Sequence, residues 1–216
     1  MGKLNFLLTE DYLKPKIYFQ SKHESICSYS YEDRNHFEGL EHLTHLLLSP
    51  KGFVVNAFQI DYYQTLPQLI ARTLKEQHSY KKLYILGPAL SLSILKRSLK
   101  TVYEKHSYDL GYINVESNAI DIFQQCIALL KEGHILYILP ETSIHWSPEI
   151  IQPVDHQPIP LCSAVLSQKA NVPILSSSVA EGSHKIKLHE PNLPQQYLGN
   201  FESRIYQQSE LLYDLL

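Results

Sequence analysis

Short apolar runs alternate with segments of helical spacing along most of this chain, and that alternation constrains its fold more than any other feature. The runs that predict buried strands are 52–58, 82–86, 135–139 and 172–176. The segments that repeat apolar positions at the spacing of an amphipathic helix are 64–77, 90–104, 118–131 and 161–169. Continuous apolar strands separated by helices predict an α/β domain, with a mostly parallel sheet covered by helices on both faces.

Weaker patterns complete the predicted domain. A helix is predicted at 37–48, a short strand at 113–115, an edge strand at 184–189 and a terminal helix at 201–216. Residues 140–160 hold five prolines and predict a long loop, which in a compact domain usually serves function. We expect residues 1–35 to form an N-terminal arm and residues 36–216 to form the α/β domain.

Composition excludes several classes of partner and location. The 22 acidic and 19 basic side chains of this 216-residue chain give a net charge of -3, which provides no basic footprint for nucleic acid. The three cysteines form no C-x-x-C pair, and no apolar stretch approaches the length of a membrane span. We therefore expect a cytoplasmic protein without a transmembrane segment, a metal centre or a nucleic-acid partner.

The familiar cofactor and nucleophile motifs are missing from the sequence. It contains no G-x-G-x-x-G, no G-K-S/T and no G-x-S-x-G, so neither a nucleotide cofactor nor a nucleophile-elbow hydrolase is expected. Ligands of parallel sheets bind beyond the carboxyl ends of the strands. The candidate loops are 58–64, 86–90, 115–118 and 140–160.

Four segments, taken in order, resemble a known family. They are residues 39–43 (GLEHL), 51–57 (KGFVVNA), 129–142 (LLKEGHILYILPET) and 170–174 (ANVPI). In this order and at about these separations they resemble the lysophospholipid acyltransferase superfamily, and within it the late (lauroyl and myristoyl) acyltransferases of lipid A synthesis. The resemblance covers roughly residues 38–190. It implies an acyltransferase-like fold and a donor that is an acyl thioester of acyl carrier protein or coenzyme A, with no further cofactor.

The family's catalytic motif, H-x-x-x-x-D/E, is degenerate in this sequence. In the family the histidine is the general base for the acceptor hydroxyl, and the carboxylate orients the imidazole. Ungapped alignment from Gly52 places the histidine position at Gln59, the aromatic position at Tyr63 and the carboxylate position at Gln64. A glutamine amide forms hydrogen bonds but cannot remove a proton near neutral pH. The spacing is kept while the base is lost.

Other positions near these two loops are implied in substrate binding. They are Asp61, Tyr62, Tyr63, Glu141, Thr142 and His145. The two tyrosines would line an acyl channel under this resemblance, with simple packing at a strand end as the alternative. The segment from residue 140 resembles the family block that holds a phosphate or the polar head of the acceptor. His145 and Glu149 would replace the missing base only if their loop folded over residues 59–64, so no base is assigned.

Two further histidine patterns compete with this interpretation. His36 and Glu41 satisfy the catalytic motif by letter, but they precede the helix that leads into the first core strand, where the family has no active site. His42 and His45 lie three residues apart on that helix, and a metal site there would need further ligands from elsewhere. We assign neither pattern a function.

Two functions from different classes follow from this sequence. The first is a divergent soluble acyltransferase that moves an acyl group from a thioester to a nucleophilic acceptor, such as an amine, without the usual dyad. The second is a non-catalytic pseudoenzyme that binds an acyl chain, acyl carrier protein or a partner enzyme. We expect no counterpart of the family's N-terminal spanning helix, so any contact with a membrane would be peripheral.

Overall fold

The computed structural model describes residues 37–57, 65–106, 109–139, 142, 150–151, 159–179 and 185–194. Backbone contacts divide the chain into two units, Met1–His36 and Phe37–Leu216, and every described residue belongs to the second. The predicted arm at 1–35 and the predicted terminal helix at 201–216 lie outside the described residues.

The described elements alternate in the order expected of an α/β domain. The strands are β1 (Phe37–Glu38), β2 (Phe53–Ala57), β3 (Leu83–Gly87), β4 (Leu110–Asn114), β5 (Ile135–Ile138), β6 (Ile150–Ile151), β7 (Ile159–Pro160), β8 (Ile174–Val179) and β9 (Ile186–Leu188). The helices are α1 (Leu40–Leu48), α2 (Thr65–Glu76), α3 (Ala89–His106), α4 (Ala119–Lys131) and α5 (Leu161–Ala170).

Seven strands form one mostly parallel sheet in the order β1-β9-β8-β2-β5-β3-β4. The five strands from β8 to β4 are mutually parallel, β9 runs antiparallel to β8, and β1 runs parallel to β9. Strands β6 and β7 form a separate antiparallel pair. The predicted α/β class with a mostly parallel sheet is confirmed.

Several predicted elements differ from the described ones. The helix predicted at 37–48 begins only at Leu40, because Gly39 has a left-handed φ of 76° that separates it from strand β1. The strand predicted at the sheet edge, β9, is not an edge strand, because β1 pairs with it on its outer side. A two-residue strand is too short to show the alternation from which strands are predicted. The segment 140–160 is also not all loop, since it contains β6 and β7.

The two faces of the sheet are covered by different helices. Helices α1, α2 and α3 pack on one face with Phe53 and Val55 of β2, and we call this the α1–α3 face. Helices α4 and α5 pack on the other with Val54, and we call it the α4–α5 face. These three β2 side chains are fully buried, as expected of a strand that is covered on both sides.

Helix α4 begins and ends at the residues that the sequence indicates. The side chain of Asn118 accepts a hydrogen bond from the Ile120 amide at 3.1 Å and so caps the first turn. At the other end, Gly133 has a φ of 92° and donates its amide to the Leu130 carbonyl. This turn aims the chain directly into the central strand β5.

Candidate functional site

Strands β2 and β5, which precede the two predicted functional loops, are direct neighbours in the sheet. Their parallel register pairs Val54 with Leu136 and Asn56 with Ile138, so both strands end at the same edge. From there β2 leads to α2 on the α1–α3 face, whereas β5 leads to α5 on the α4–α5 face. Neighbouring strands whose connections leave to opposite faces open a crevice between their carboxyl ends, and ligands of α/β sheets bind in such crevices.

Most residues that the sequence nominates for this site fall outside the described part of the chain. These are Gln59, Asp61, Tyr62, Tyr63, Gln64, Glu141 and His145. Their roles stay predictions. The structure shows only that β2 and β5, the strands that precede them in the sequence, end at the same edge of the sheet.

Thr142 is the one nominated residue that the structure describes. Its side chain is fully buried, and its hydroxyl donates to the Leu86 carbonyl of β3 at 3.2 Å. Its amide donates to the Leu139 carbonyl at 3.0 Å. Thr142 therefore fastens the segment after β5 to the end of β3.

A buried polar contact lies beside this edge on the α4–α5 face. Asn56, the last residue but one of β2, is 2% exposed, and its Oδ1 accepts a hydrogen bond from the Ser163 hydroxyl at 2.6 Å. Ser163 lies in the first turn of α5. On the neighbouring strand, the Ser177 hydroxyl donates to the Asn56 backbone carbonyl at 3.2 Å. Asn56 thus links β2 to α5 and to β8.

Two polar atoms of this cluster have no hydrogen-bond partner among the described residues. They are Nδ2 of Asn56 and Oγ of Ser176, and both are buried. The β2–β8 register places the two residues side by side, and strand alternation turns both toward the α4–α5 face. A buried polar group without a partner costs free energy and calls for an explanation, of which a bound ligand is one.

The cluster is suited to stabilising a carbonyl oxygen or an anion. Helix α5 precedes the parallel strand β8, so its N-terminus, with the positive end of the helix dipole, lies toward the carboxyl edge of the sheet. Its N-cap, Pro160, makes no side-chain hydrogen bond to the amides of the first turn. The amide of Asn56 adds a donor held away from water. The described side chains of the cluster, Asn56, Ser163 and Ser176, remain neutral near pH 7 and include no general base.

The sequence motifs do not point to this cluster, because they fall in the loops that follow the strands. Asn56 and Ser176 each lie within an otherwise apolar strand, in FVVNA and ILSSSV. A polar side chain in a strand that is buried on both faces is the signal that points to such positions, since the polar group must find a partner there.

Metal binding and membrane insertion find no support among the described residues. No group of three or more histidine, cysteine, aspartate or glutamate side chains there is arranged to hold a metal ion. The Nε2 of His42 lies 3.9 Å from the Oε1 of Glu41, and both residues are on α1. No helix within the described ranges is long and apolar enough to cross a bilayer.

Comparisons with known proteins assign no family to the chain. No protein-family model matches it, and no curated protein is significantly similar to it.

Proposed function

We propose that this protein binds an acyl thioester at the carboxyl ends of β2 and β5 and transfers the acyl group to a nucleophilic acceptor such as an amine. The donor in this proposal is a thioester of acyl carrier protein or coenzyme A. The observation that carries it is the buried Nδ2 of Asn56, which lies beside the N-terminus of α5 and has no hydrogen-bond partner among the described residues. A thioester carbonyl oxygen accepts hydrogen bonds from groups of this kind.

The chemistry of the proposed reaction suits a site without a base. When a neutral amine attacks the thioester carbon, a C–N bond forms, the C–S bond breaks and the leaving thiolate takes up the released proton. Negative charge develops on the carbonyl oxygen meanwhile, and a preorganised amide donor and helix N-terminus stabilise it. Positioning of the two reactants supplies further rate. Gln59 and Gln64 orient the thioester or the acceptor in this scheme.

The placement of the quoted segments also supports the proposal. The lysine–glycine pair of the family resemblance, Lys51 and Gly52, comes directly before β2, and the segment with Glu141 and Thr142 follows β5. Because these strands are neighbours, both segments serve one site. An acyltransferase-like architecture, a cytoplasmic location and binding of the substrate by Asp61, Tyr62, Tyr63 and His145 are parts of this proposal.

A second candidate function is favoured by the neutrality of the described cluster. The side chains of Asn56, Ser163 and Ser176 can form hydrogen bonds with a ligand but do not exchange protons at neutral pH, and glutamine occupies both dyad positions of the sequence. A pseudoenzyme that holds an acyl chain, acyl carrier protein or a partner enzyme needs no more than this.

One experiment separates the two functions. The full chain is incubated with octanoyl-coenzyme A or octanoyl-acyl carrier protein and a panel of alcohols and amines, and thiol release and acylated product are measured. Under the transfer proposal, wild type acylates an amine and Asn56→Ala lowers the rate by about 10²–10³-fold. Asn114→Ala is the matched control, because Asn114 also ends a strand but its side chain accepts from the nearby Glu116 amide.

The remaining outcomes assign or reject the second function. Thioester binding without turnover in wild type, with turnover gained by the double variant Gln59→His/Gln64→Glu, establishes the pseudoenzyme. Absence of thioester binding in a folded wild type overturns the transfer function and leaves only the binding of a partner enzyme from the second.

A further inference from the structure

A serine–histidine pair lies at the carboxyl end of β8, outside the Asn56 cluster. The Oγ of Ser178, near the end of β8, is 2.7 Å from the Nε2 of His189, the residue that follows β9. Both side chains are half-buried, so each is shielded from bulk water yet can be reached. A hydrogen bond between a hydroxyl and an imidazole is the basic unit of an activated serine nucleophile.

The fold places this pair at the same edge and on the same face as the Asn56 cluster. Alternation along β8 puts Ser178 on the α4–α5 face with Ser176, two residues earlier, and Ser176 is level with Asn56 of β2. The adjoining strand β9 carries Ile186 and Leu188 into the core of the other face, so Lys187 and His189 lie on the α4–α5 side. The pair is therefore one strand away from the proposed thioester site.

The surroundings of His189 favour its neutral form. Partial burial lowers the pKa of its imidazole, and electrostatic interactions with Lys187 and with the imidazole of His42 lower it further. Near pH 7 the ring is therefore neutral, and with the ring proton on Nδ1 the lone pair of Nε2 accepts the Ser178 hydroxyl proton. This is the state that a general base needs before it acts.

We propose that Ser178 is a nucleophile that carries the acyl group as an ester, with His189 as its general base. This inference rests on the proposed function and deepens it: it replaces the direct attack on the thioester by two steps through Ser178 and supplies the base that the glutamines lack.

The proposed reaction proceeds in two balanced steps. Ser178 Oγ attacks the thioester carbon, its proton passes to Nε2, the C–S bond breaks and the leaving thiolate takes that proton, leaving an acyl ester and a free thiol. The acceptor then attacks the ester carbon and gives its proton to Nε2. That proton returns to Ser178 Oγ as the ester C–O bond breaks.

The first test uses a probe that reports on an activated serine alone. Full-length protein is treated with an alkyl fluorophosphonate, and the site and rate of phosphonylation are measured by intact mass and peptide mapping. We expect labelling at Ser178 that Ser178→Ala abolishes and His189→Gln slows by about 10²-fold or more. The labelling rate should rise with pH around a midpoint below 6.5, as a base with a lowered pKa requires.

A matched histidine variant controls for general effects. His134 is likewise half-buried with a pKa that burial lowers, but it lies before β5, at the opposite edge of the sheet. His134→Gln should be labelled at the wild-type rate. Three outcomes would overturn the assignment of Ser178 as a nucleophile activated by His189: no labelling of a folded wild type, labelling at another residue, or an unchanged labelling rate in His189→Gln.

A second variant and a second substrate keep the two proposals apart. If Ser178→Ala fails to fold, Ser178→Cys retains a nucleophile, and its alkylation by iodoacetamide should fall when His189→Gln is added; an unchanged alkylation rate overturns the pair. With octanoyl-coenzyme A, transfer that persists in folded Ser178→Ala overturns the pair but leaves the proposed function standing. If Ser178 is phosphonylated but the protein neither binds nor consumes thioester, the proposed function is overturned and the activated serine–histidine pair stands.

Discussion

The Ser163 hydroxyl of α5 donates to the side-chain oxygen of Asn56 of β2 across 2.6 Å, and both side chains are at least 98% buried. This contact replaces water for two groups that were hydrated in the unfolded chain. Removing one of the two groups leaves the other buried without a hydrogen-bond partner, which lowers the free energy of unfolding by about 1–3 kcal/mol.

We therefore predict that Ser163→Ala lowers the free energy of unfolding by about 1–3 kcal/mol, measured by urea denaturation. The double variant Asn56→Leu/Ser163→Ala should lose less stability than the sum of the two single variants, because it leaves no buried polar group without a partner. Strictly additive losses would show that the two side chains do not interact.

Gly52 and Gly111 offer a paired test of backbone packing. A Cβ at Gly52 would overlap the backbone carbonyl oxygens of Leu130 and His134, which the turn after α4 holds in place. The three atoms nearest to a Cβ at Gly111 all belong to the ring of Tyr84, a partly buried side chain, which yields more readily than backbone. We predict that Gly52→Ala loses about 1–3 kcal/mol of stability or more and that Gly111→Ala loses less, as measured by thermal and urea unfolding. Equal losses would contradict this ranking.

His134 should make the protein sensitive to mild acid. Its Nδ1 accepts a hydrogen bond from the Lys82 amide at 3.3 Å, and burial lowers its pKa, although Glu132 acts in the opposite direction. Between the lowered folded pKa and the unfolded value near 6.5, the unfolded chain binds more protons than the folded one. The contribution of His134 to stability is therefore fully present above pH 6.5 and is lost as the pH falls through this window.

The check is the pH dependence of urea unfolding from pH 7.5 to 4.5. His134→Gln should show a shallower loss of stability on acidification than wild type, while His45→Gln, at an exposed position of α1, should follow wild type. A wild-type slope in His134→Gln would refute the assignment.

Cys126 should be inert while the protein is folded. Its side chain is fully buried in α4, and burial together with the nearby Cys162 thiol raises its pKa to about 12. The thiolate is the reactive form, so its population at pH 8 is negligible. We predict that iodoacetamide modifies Cys126 only after unfolding in urea, as followed by peptide mass mapping. Modification of the native protein at the rate of an unfolded peptide would contradict the packing of α4.

The sequence predicts the elements of this fold better than their arrangement. Strands such as β2 are predictable because apolar side chains are needed on both faces, and the start and end of α4 are predictable because Asn118 and Gly133 act locally. The pairing of β1 outside β9 depends on two residues and leaves no pattern. The insertion of β5 between β2 and β3 follows from contacts across the chain that no local signal encodes.

The candidate site divides in the same way. Asn56 and Ser163 are 107 residues apart in sequence, so their hydrogen bond cannot be inferred from spacing. The sequence can nominate the carboxyl edge of the sheet, because ligands gather at the carboxyl ends of parallel strands, but whether a ligand binds there stays a prediction. The proposed roles of Gln59 and Gln64 rest on the family resemblance alone and await the transfer experiment.

The place of β5 in the sheet also sets the order in which a nascent chain can complete its core. Strands β2 and β3 leave the ribosome early, yet each keeps an unpaired hydrogen-bonding edge until residue 138 arrives to fill the gap between them. Exposed apolar edges of this kind recruit other chains. Translation that stalls within α4 should therefore yield fragments that aggregate, because β2 then lacks both of its neighbours in the sheet, β5 and β8.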